Sequence, residues 1–384
     1  MSGAIPLPFS LFYRPIELGT IPRSCIMRTR NHHHYHGPSL FSTIGQALNF
    51  HNSPKHGLHH NAAAIQSDPR AAKFDVMLVE RLSTLELALA PTKQRFSLAW
   101  MDQALALVTT TISEAQSIIP GLECPLPEGD EQWVSEYLED TCRLLDVLNT
   151  LRKVVGDLEH RLLLLHLAVS TLESGHGTRQ ERYAKARKAL AEFTSPGGSS
   201  TTWIAVKSCC GVLREMLKQR PGFEKDLPHK ARRSFLSALY AAKVVAVCVL
   251  GAVVALFSGS NATLGIAEWE IPDSFAWSPT LRALLELVRS SLQHKITRFS
   301  PLVVEFAALE VVVEELQAKL GGVTDFGEES ESCSGIADGA RKLAAVLKSA
   351  EEGLDRGRRD MDKLFHVIVC NRNSLLSYLR RSDS

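Results

Sequence analysis

Spacings that carry chemistry are what this sequence lacks. It has eight cysteines in 384 residues, none arranged as CxxC, with only Cys209 and Cys210 adjacent. That removes a metal finger, and in a chain of this length it points to buried, reduced thiols rather than a disulfide framework. Cys209 and Cys210 would be nucleophiles or acylation sites only in an electropositive or membrane-proximal setting, so they are read as buried small residues. Charge of one sign is missing too: 43 Lys and Arg against 42 Asp and Glu leave +1. No field therefore recruits nucleic acid, and no nucleic-acid partner is expected. No stretch alternates convincingly with period two, so no sheet is expected. The glycines of "TSPGGSS" are neither preceded by a strand nor followed by a lysine, which makes the segment a linker rather than a phosphate loop. His160 and His166 stand six apart on one helix and hence on different faces, whereas a metal pair wants i, i+4. His160 is expected on a solvated face and His166, inside "LLLLHLAV", partly in the core. No catalytic, cofactor-binding or metal-ligating residue is nominated, no cofactor is expected, and the chain is read as non-enzymatic.

Acidic residues are scarce at the start. Residues 1–70 hold six cations and only Glu17 and Asp68 as anions, and eight of the 14 histidines fall between His32 and His60. "HHHYH" at 32–36 would hold a transition ion only loosely. No periodic apolar pattern persists there, so the segment is expected to be a disordered His- and Pro-rich basic tail. A plastid transit peptide is the alternative, given its arginines, hydroxyls and few acids.

What is present is helical periodicity, from about residue 71 to 380. Leu98, Met101, Leu105, Val108, Ile112, Ala115 and Ile119 step by three and four, and Pro120 and Gly121 stop them. Leu144, Leu148, Leu151, Val155, Leu158, Leu162, Leu165, Val169 and Leu172 form the longest stripe, predicting a helix over 133–172. Further helices are predicted over 179–193, 203–218 and 281–299. Ser300 and Pro301 suit an N-cap and first turn for the next. "GGVTDFGEESESCSG" is expected to be a mobile loop. A last helix follows from Ala340 towards Leu379, with Gly353 and Gly357 weakening its middle by about 1 kcal/mol each. The fold class is all-α: an elongated multi-helix bundle of long heptad-patterned helices behind the tail.

One run is apolar on every face. Phe235–Phe257 has 23 residues and a single charge, Lys243. Its uncharged part, Val244–Phe257, is shorter than the ~20 residues that span a bilayer, and Lys243 inside a membrane would cost on the order of 2 kcal/mol. Two readings stay open. As a buried rod, the run places Leu250, Val253 and Phe257 in the core, lets Gly251 approach a neighbour, and puts Lys243 near the rod's end with its amine on water or a carboxylate. As a membrane span it would be flanked by Lys230, Arg232 and Arg233 on the cytosolic side and by Glu268, Glu270 and Asp273 on the other.

Four stretches carry a family resemblance: "FSLAWMDQAL" (96–105), "EQWVSEYLEDTCRLLDVLNTL" (131–151), "ALYAAKVVAVCVLGAVVALFSGS" (238–260) and "RNSLLSYL" (372–379). Through them the chain resembles the plant BYPASS family from about Phe74 to Tyr378. The resemblance implies a plant protein without known enzymatic activity that regulates root and shoot development. One member restrains a mobile growth-arresting signal, and another branch partners an exocyst subunit in secretion. It supplies no site residues. The His-rich beginning departs from the family, with "PLPFSLFYRP" (6–15) a distant echo at most. The expectation is a scaffold working through protein–protein contacts on the cytoplasmic face of membranes. The alternatives are an integral membrane regulator anchored by 235–257, or a plastid protein if the tail is a transit peptide.

Overall fold

The computed structural model describes residues 69–89, 96–118, 128–174, 176–195, 200–218, 230–258, 271, 273–293, 303–322 and 330–382. The N-terminal tail lies outside these residues except for its last two, Pro69 and Arg70. They open the first helix, so it starts ahead of Lys73, with proline where a missing N–H costs nothing.

The described residues fold as α1 (Pro69–Leu89), α2 (Leu98–Ile118), α3 (Glu128–Glu173), α4 (Arg179–Thr194), α5 (Ser200–Leu217), α6 (Lys230–Ser258), α7 (Ser278–Gln293), α8 (Val304–Gly321) and α9 (Ser330–Ser382). Among them there is no strand, only one isolated parallel bridge between Phe96 and Val303. The all-α expectation holds.

Two helices run the length of this assembly. With 46 and 53 residues, α3 and α9 reach about 70 and 80 Å. They lie antiparallel, and contacts seven residues apart on α3 tie them: Glu159 pairs with Arg358, Arg152 with Asp362, and His166 meets Glu351, an ionic contact when the imidazole is protonated. The sign reverses between Glu159 and Arg152 of α3. A slip of one heptad would set Glu159 against Glu351, so the charges specify the register. Below Arg152 its guanidinium also lies over the Phe365 ring, 4.5 Å from the centroid.

Shorter helices cover this pair in two groups. α4 packs on the C-terminal half of α3 and on α8, which packs on the first part of α9. The turn between α3 and α4 is built by Gly177 at a φ of 83°, followed by a capping box in which Thr178 and Glu181 satisfy each other's backbone N–H. Arg182 then donates to the carbonyls of Leu172 and Ser174, at 3.3 and 2.5 Å, closing the end of α3. The other group surrounds α6, which touches α1, α2, α3, α5 and α7. Phe275 and Trp277, stacked at 5.0 Å, precede α7, and Phe275 lies against Tyr240 of α6.

Where the groups meet, α8 and α2 follow one another along α9. The backbone N–H of Val304 donates to Phe96 O at 2.8 Å, and both Glu305 carboxylate oxygens accept from Leu98 N–H at 3.2 Å. Glu305 thus serves the N-terminus of α2, together with the Ser97 hydroxyl, which accepts from Trp100 N–H.

The structure refines three local expectations. Ser300 and Pro301 lie outside the described residues; the N-cap of α8 is Val303, extended and without a side-chain cap. The expected loop ends early, because α9 is already helical at Ser330. Gly353 and Gly357 are packing devices as well as weak points. A Cβ on Gly353 would lie 2.5 Å from Leu98 Cδ1, and one on Gly357 would overlap the Met101 methyl. Glycine is what lets α9 approach α2 this closely.

Candidate functional site: a charge pair on the apolar helix

Within Phe235–Phe257 every residue is buried except half-buried Ser237. Leu250, Gly251, Val253 and Phe257 are all enclosed, as the buried-rod reading requires. Arg233 is exposed, while the side chains of Lys230 and Arg232 in the first turn lie outside the described residues. Glu268 and Glu270 lie outside them too, and Asp273 is exposed and paired with Arg282.

Lys243 departs from expectation. The helix starts at Lys230, so Lys243 falls at its middle rather than its end, and its side chain is only 1% exposed. Its Nζ lies 2.5 Å from Asp140 Oδ2, and that carboxylate is equally buried. Arg143 donates to the other oxygen, Oδ1, at 3.0 Å. Burial pulls the Lys243 amine below the usual lysine value, while the hydrogen bond and charge of Asp140, with Glu136 beside it, act in the opposite direction.

A polar shell from α3 and α9 continues the site. Tyr137, one turn before Asp140, donates to Asn371 Oδ1 at 3.4 Å. Burial first, and the Asp140 charge second, push its hydroxyl above the ordinary tyrosine value. Thr141 donates to Leu138 O at 2.6 Å and accepts from Arg372 at 3.3 Å, and Arg372 also donates to Leu138 O. Three helices, α3, α6 and α9, are therefore joined by charged and polar groups at one level. Both Asp140 oxygens are engaged by cations and the amine is enclosed, an arrangement that fixes helices against each other.

Asp140 was legible but missed. Continuing the α3 stripe backwards from Leu144 in steps of four and three reaches Asp140, Tyr137 and Trp133, so a carboxylate stands on the apolar face. Asn371 likewise follows Ile368 on the α9 stripe. A polar side chain at a core position is the signal.

Elsewhere the candidates separate. Cys209 and Cys210 are buried; burial raises both thiols, that of Cys210 to about 11, which keeps them protonated. His160 is exposed as expected. His166 is exposed as well, contrary to the core position expected, because it turns outward to Glu351 of α9. The "HHHYH" run lies outside the described residues, and among those described no three His, Cys, Asp or Glu side chains gather as a metal site.

Fold and site together define an all-helical protein that encloses, within its own bundle, a helix of membrane-span length. Its relatives are plant proteins: UPF0496 protein 4 of Oryza sativa subsp. japonica, 26% identical over 74% of this chain and 64% of that protein, and Protein BPS1, chloroplastic, of Arabidopsis thaliana, 22% identical over 74% and 76%. UPF0496 protein 4 of Oryza sativa subsp. indica is 27% identical over 59% of this chain and 51% of its own length. The chain is thus similar to UPF0496 and BPS1 proteins of plants, and it spans less than two thirds of the two rice proteins. No family model matches it, and no solved structure does.

Proposed function

We propose that this chain is a non-enzymatic regulatory scaffold of plant root and shoot development. It works through protein–protein contacts on the cytoplasmic face of membranes, with a component of the secretory machinery such as an exocyst subunit as a partner. The observation that carries the scaffold reading is the enclosure of α6: the most apolar surface of the chain is used internally, while α3 and α9 present long, mostly charged outer faces. Leu163 and Leu167, exposed one turn apart on α3, add an apolar strip to that outer face. The developmental role rests on kinship with BYPASS-type proteins. The name of the Arabidopsis relative places that protein in the chloroplast, which keeps the transit-peptide reading of residues 1–70 as a second localisation to test.

The second functional reading is an integral membrane regulator that restrains a mobile growth signal. The length of Arg233–Phe257, 25 residues, favours it. Alkaline carbonate extraction of plant membranes separates the two. The scaffold is expected in the supernatant, with its partners recovered by crosslinking before extraction. A carbonate-resistant pellet would overturn the scaffold reading.

A further inference from the structure

Arg233–Phe257 meets the length and apolarity of a membrane span, yet all of its apolar window is buried in the protein. Between its ends it carries one formal charge, Lys243. The midpoint of positions 233 and 257 is 245, so the lysine falls within two residues of the centre. There a lysine is at its most costly in lipid, since its stem is far shorter than the ~15 Å to either interface. In the bundle the same lysine meets Asp140 at 2.5 Å, with Glu136 and Arg143 also from α3 beside it. The carboxylate is itself at a position where the α3 stripe would take an apolar residue, and it has no role in solvent at 1% exposure. Each half of the pair is out of place on its own helix and in place only against the other.

We propose that the Lys243–Asp140 pair is a topology selector: it makes the bundle rather than a lipid bilayer the favourable surroundings for α6, and α6 is in every other respect a complete membrane span. Lys243 performs the exclusion, because its charge travels with α6. Asp140 performs the acceptance, because it neutralises that charge only when α3 and α6 are packed. Losing the two therefore has different consequences. Without Lys243, nothing on α6 opposes insertion. Without Asp140, the charge remains on α6, so the bundle is weakened and the bilayer stays closed to it.

The proposal rests on the scaffold reading, in which the native chain is not inserted. The test is cell-free synthesis of the full chain in the presence of microsomes, followed by carbonate washing and flotation on a density gradient, which separates inserted protein from aggregate. The wild type, Lys243→Arg and Asp140→Asn are expected to stay at the bottom. Lys243→Leu should raise the floating fraction at least about tenfold, the scale on which one central charge governs helix insertion. The double variant Lys243→Leu with Asp140→Leu should float as well, and it leaves no unpaired carboxylate to confuse insertion with misfolding. If both leucine variants remain at the bottom, the selector is overturned and the scaffold reading stands. Flotation of Asp140→Asn to the level of Lys243→Leu would equally overturn it, because general destabilisation would then suffice. Flotation of the wild type would overturn both readings.

Discussion

Lys243 and Asp140, each 1% exposed, face one another across α6 and α3. Removing one member of a buried, hydrogen-bonded ion pair leaves the other charge desolvated, which typically costs about 3–5 kcal/mol. Asp140→Asn is therefore expected to lower stability by about that amount in urea unfolding. Replacing both partners, Lys243→Met with Asp140→Leu, should recover most of it, because an apolar pair of similar volume carries no desolvation cost. A double variant no more stable than Asp140→Asn would show that Arg143 and Glu136, not the pair, set the energy. The thiols make a second residue-scale prediction. Cys210 is pushed up to about 11 from 9.0, chiefly by burial; an unfolded thiol loses its proton first as pH rises. Stability from this group is complete below pH 9 and is lost as pH climbs through about 11. Burial raises Cys248 in the same direction, whereas Lys243, held below its usual value, has the opposite slope below pH 10.5. Melting temperatures from pH 8 to 11 should thus fall less steeply in Cys210→Ala than in the wild type, and parallel curves would refute the assignment.

Along the helices, glycine has two meanings that the sequence does not separate. Gly353 has Leu98 pressed on it, while Gly156, exposed in mid-α3, has nothing within 4 Å of a notional Cβ. Gly156→Ala should stabilise the chain by about 0.5–1 kcal/mol through helix propensity. Gly353→Ala gains the same propensity but must push Leu98 aside, so it should destabilise by about 1–3 kcal/mol. Equal shifts in thermal melting for the two would mean that Leu98 does not press on Gly353 in solution. The alternating ion pairs between α3 and α9 are half-exposed, so each contributes only about 0.2–1 kcal/mol; their value lies in register. Glu159→Arg should weaken the chain by a comparable amount, and adding Arg358→Glu should restore it in a double-mutant cycle. Failure of the second change to rescue the first would remove the register argument.

For the whole molecule the decisive substitution is Leu250→Asp. Leu250 is fully buried in α6, and α6 has five helices against it. An unpaired carboxylate there costs several kcal/mol, a large part of a typical total of about 5–15 kcal/mol. Circular dichroism should record loss of cooperative helical structure at ambient temperature. A Leu250→Asp protein that stays soluble and fully helical would mean that α6 is not the rod the other helices fold around.

Periodicity was enough to place most helices and both core stripes, because steps of three and four residues are a local property of the chain. The α2 stripe, the helix from 179 and the apolar run 235–257 needed nothing more. Helix ends were less legible at Val303, where a backbone bridge to Phe96 stands in place of a side-chain cap, and at Ser330, which lies within a polar run that reads as loop. His166 was misplaced because a flank of leucines does not say which way one side chain turns, and a carboxylate 185 positions away on α9 draws it outward. Lys243 shows the same division most sharply. Composition leaves a helix with one central charge equally describable as a strained span or a core rod. Only the tertiary arrangement brings Asp140, 103 positions earlier in the chain, to within 2.5 Å of it. The sequence by itself determined which segments are helical and which faces are apolar, since those depend on neighbours within a turn or two. Which helix encloses which, and which buried charge has a partner, depend on contacts across a hundred residues or more, and folding alone makes those.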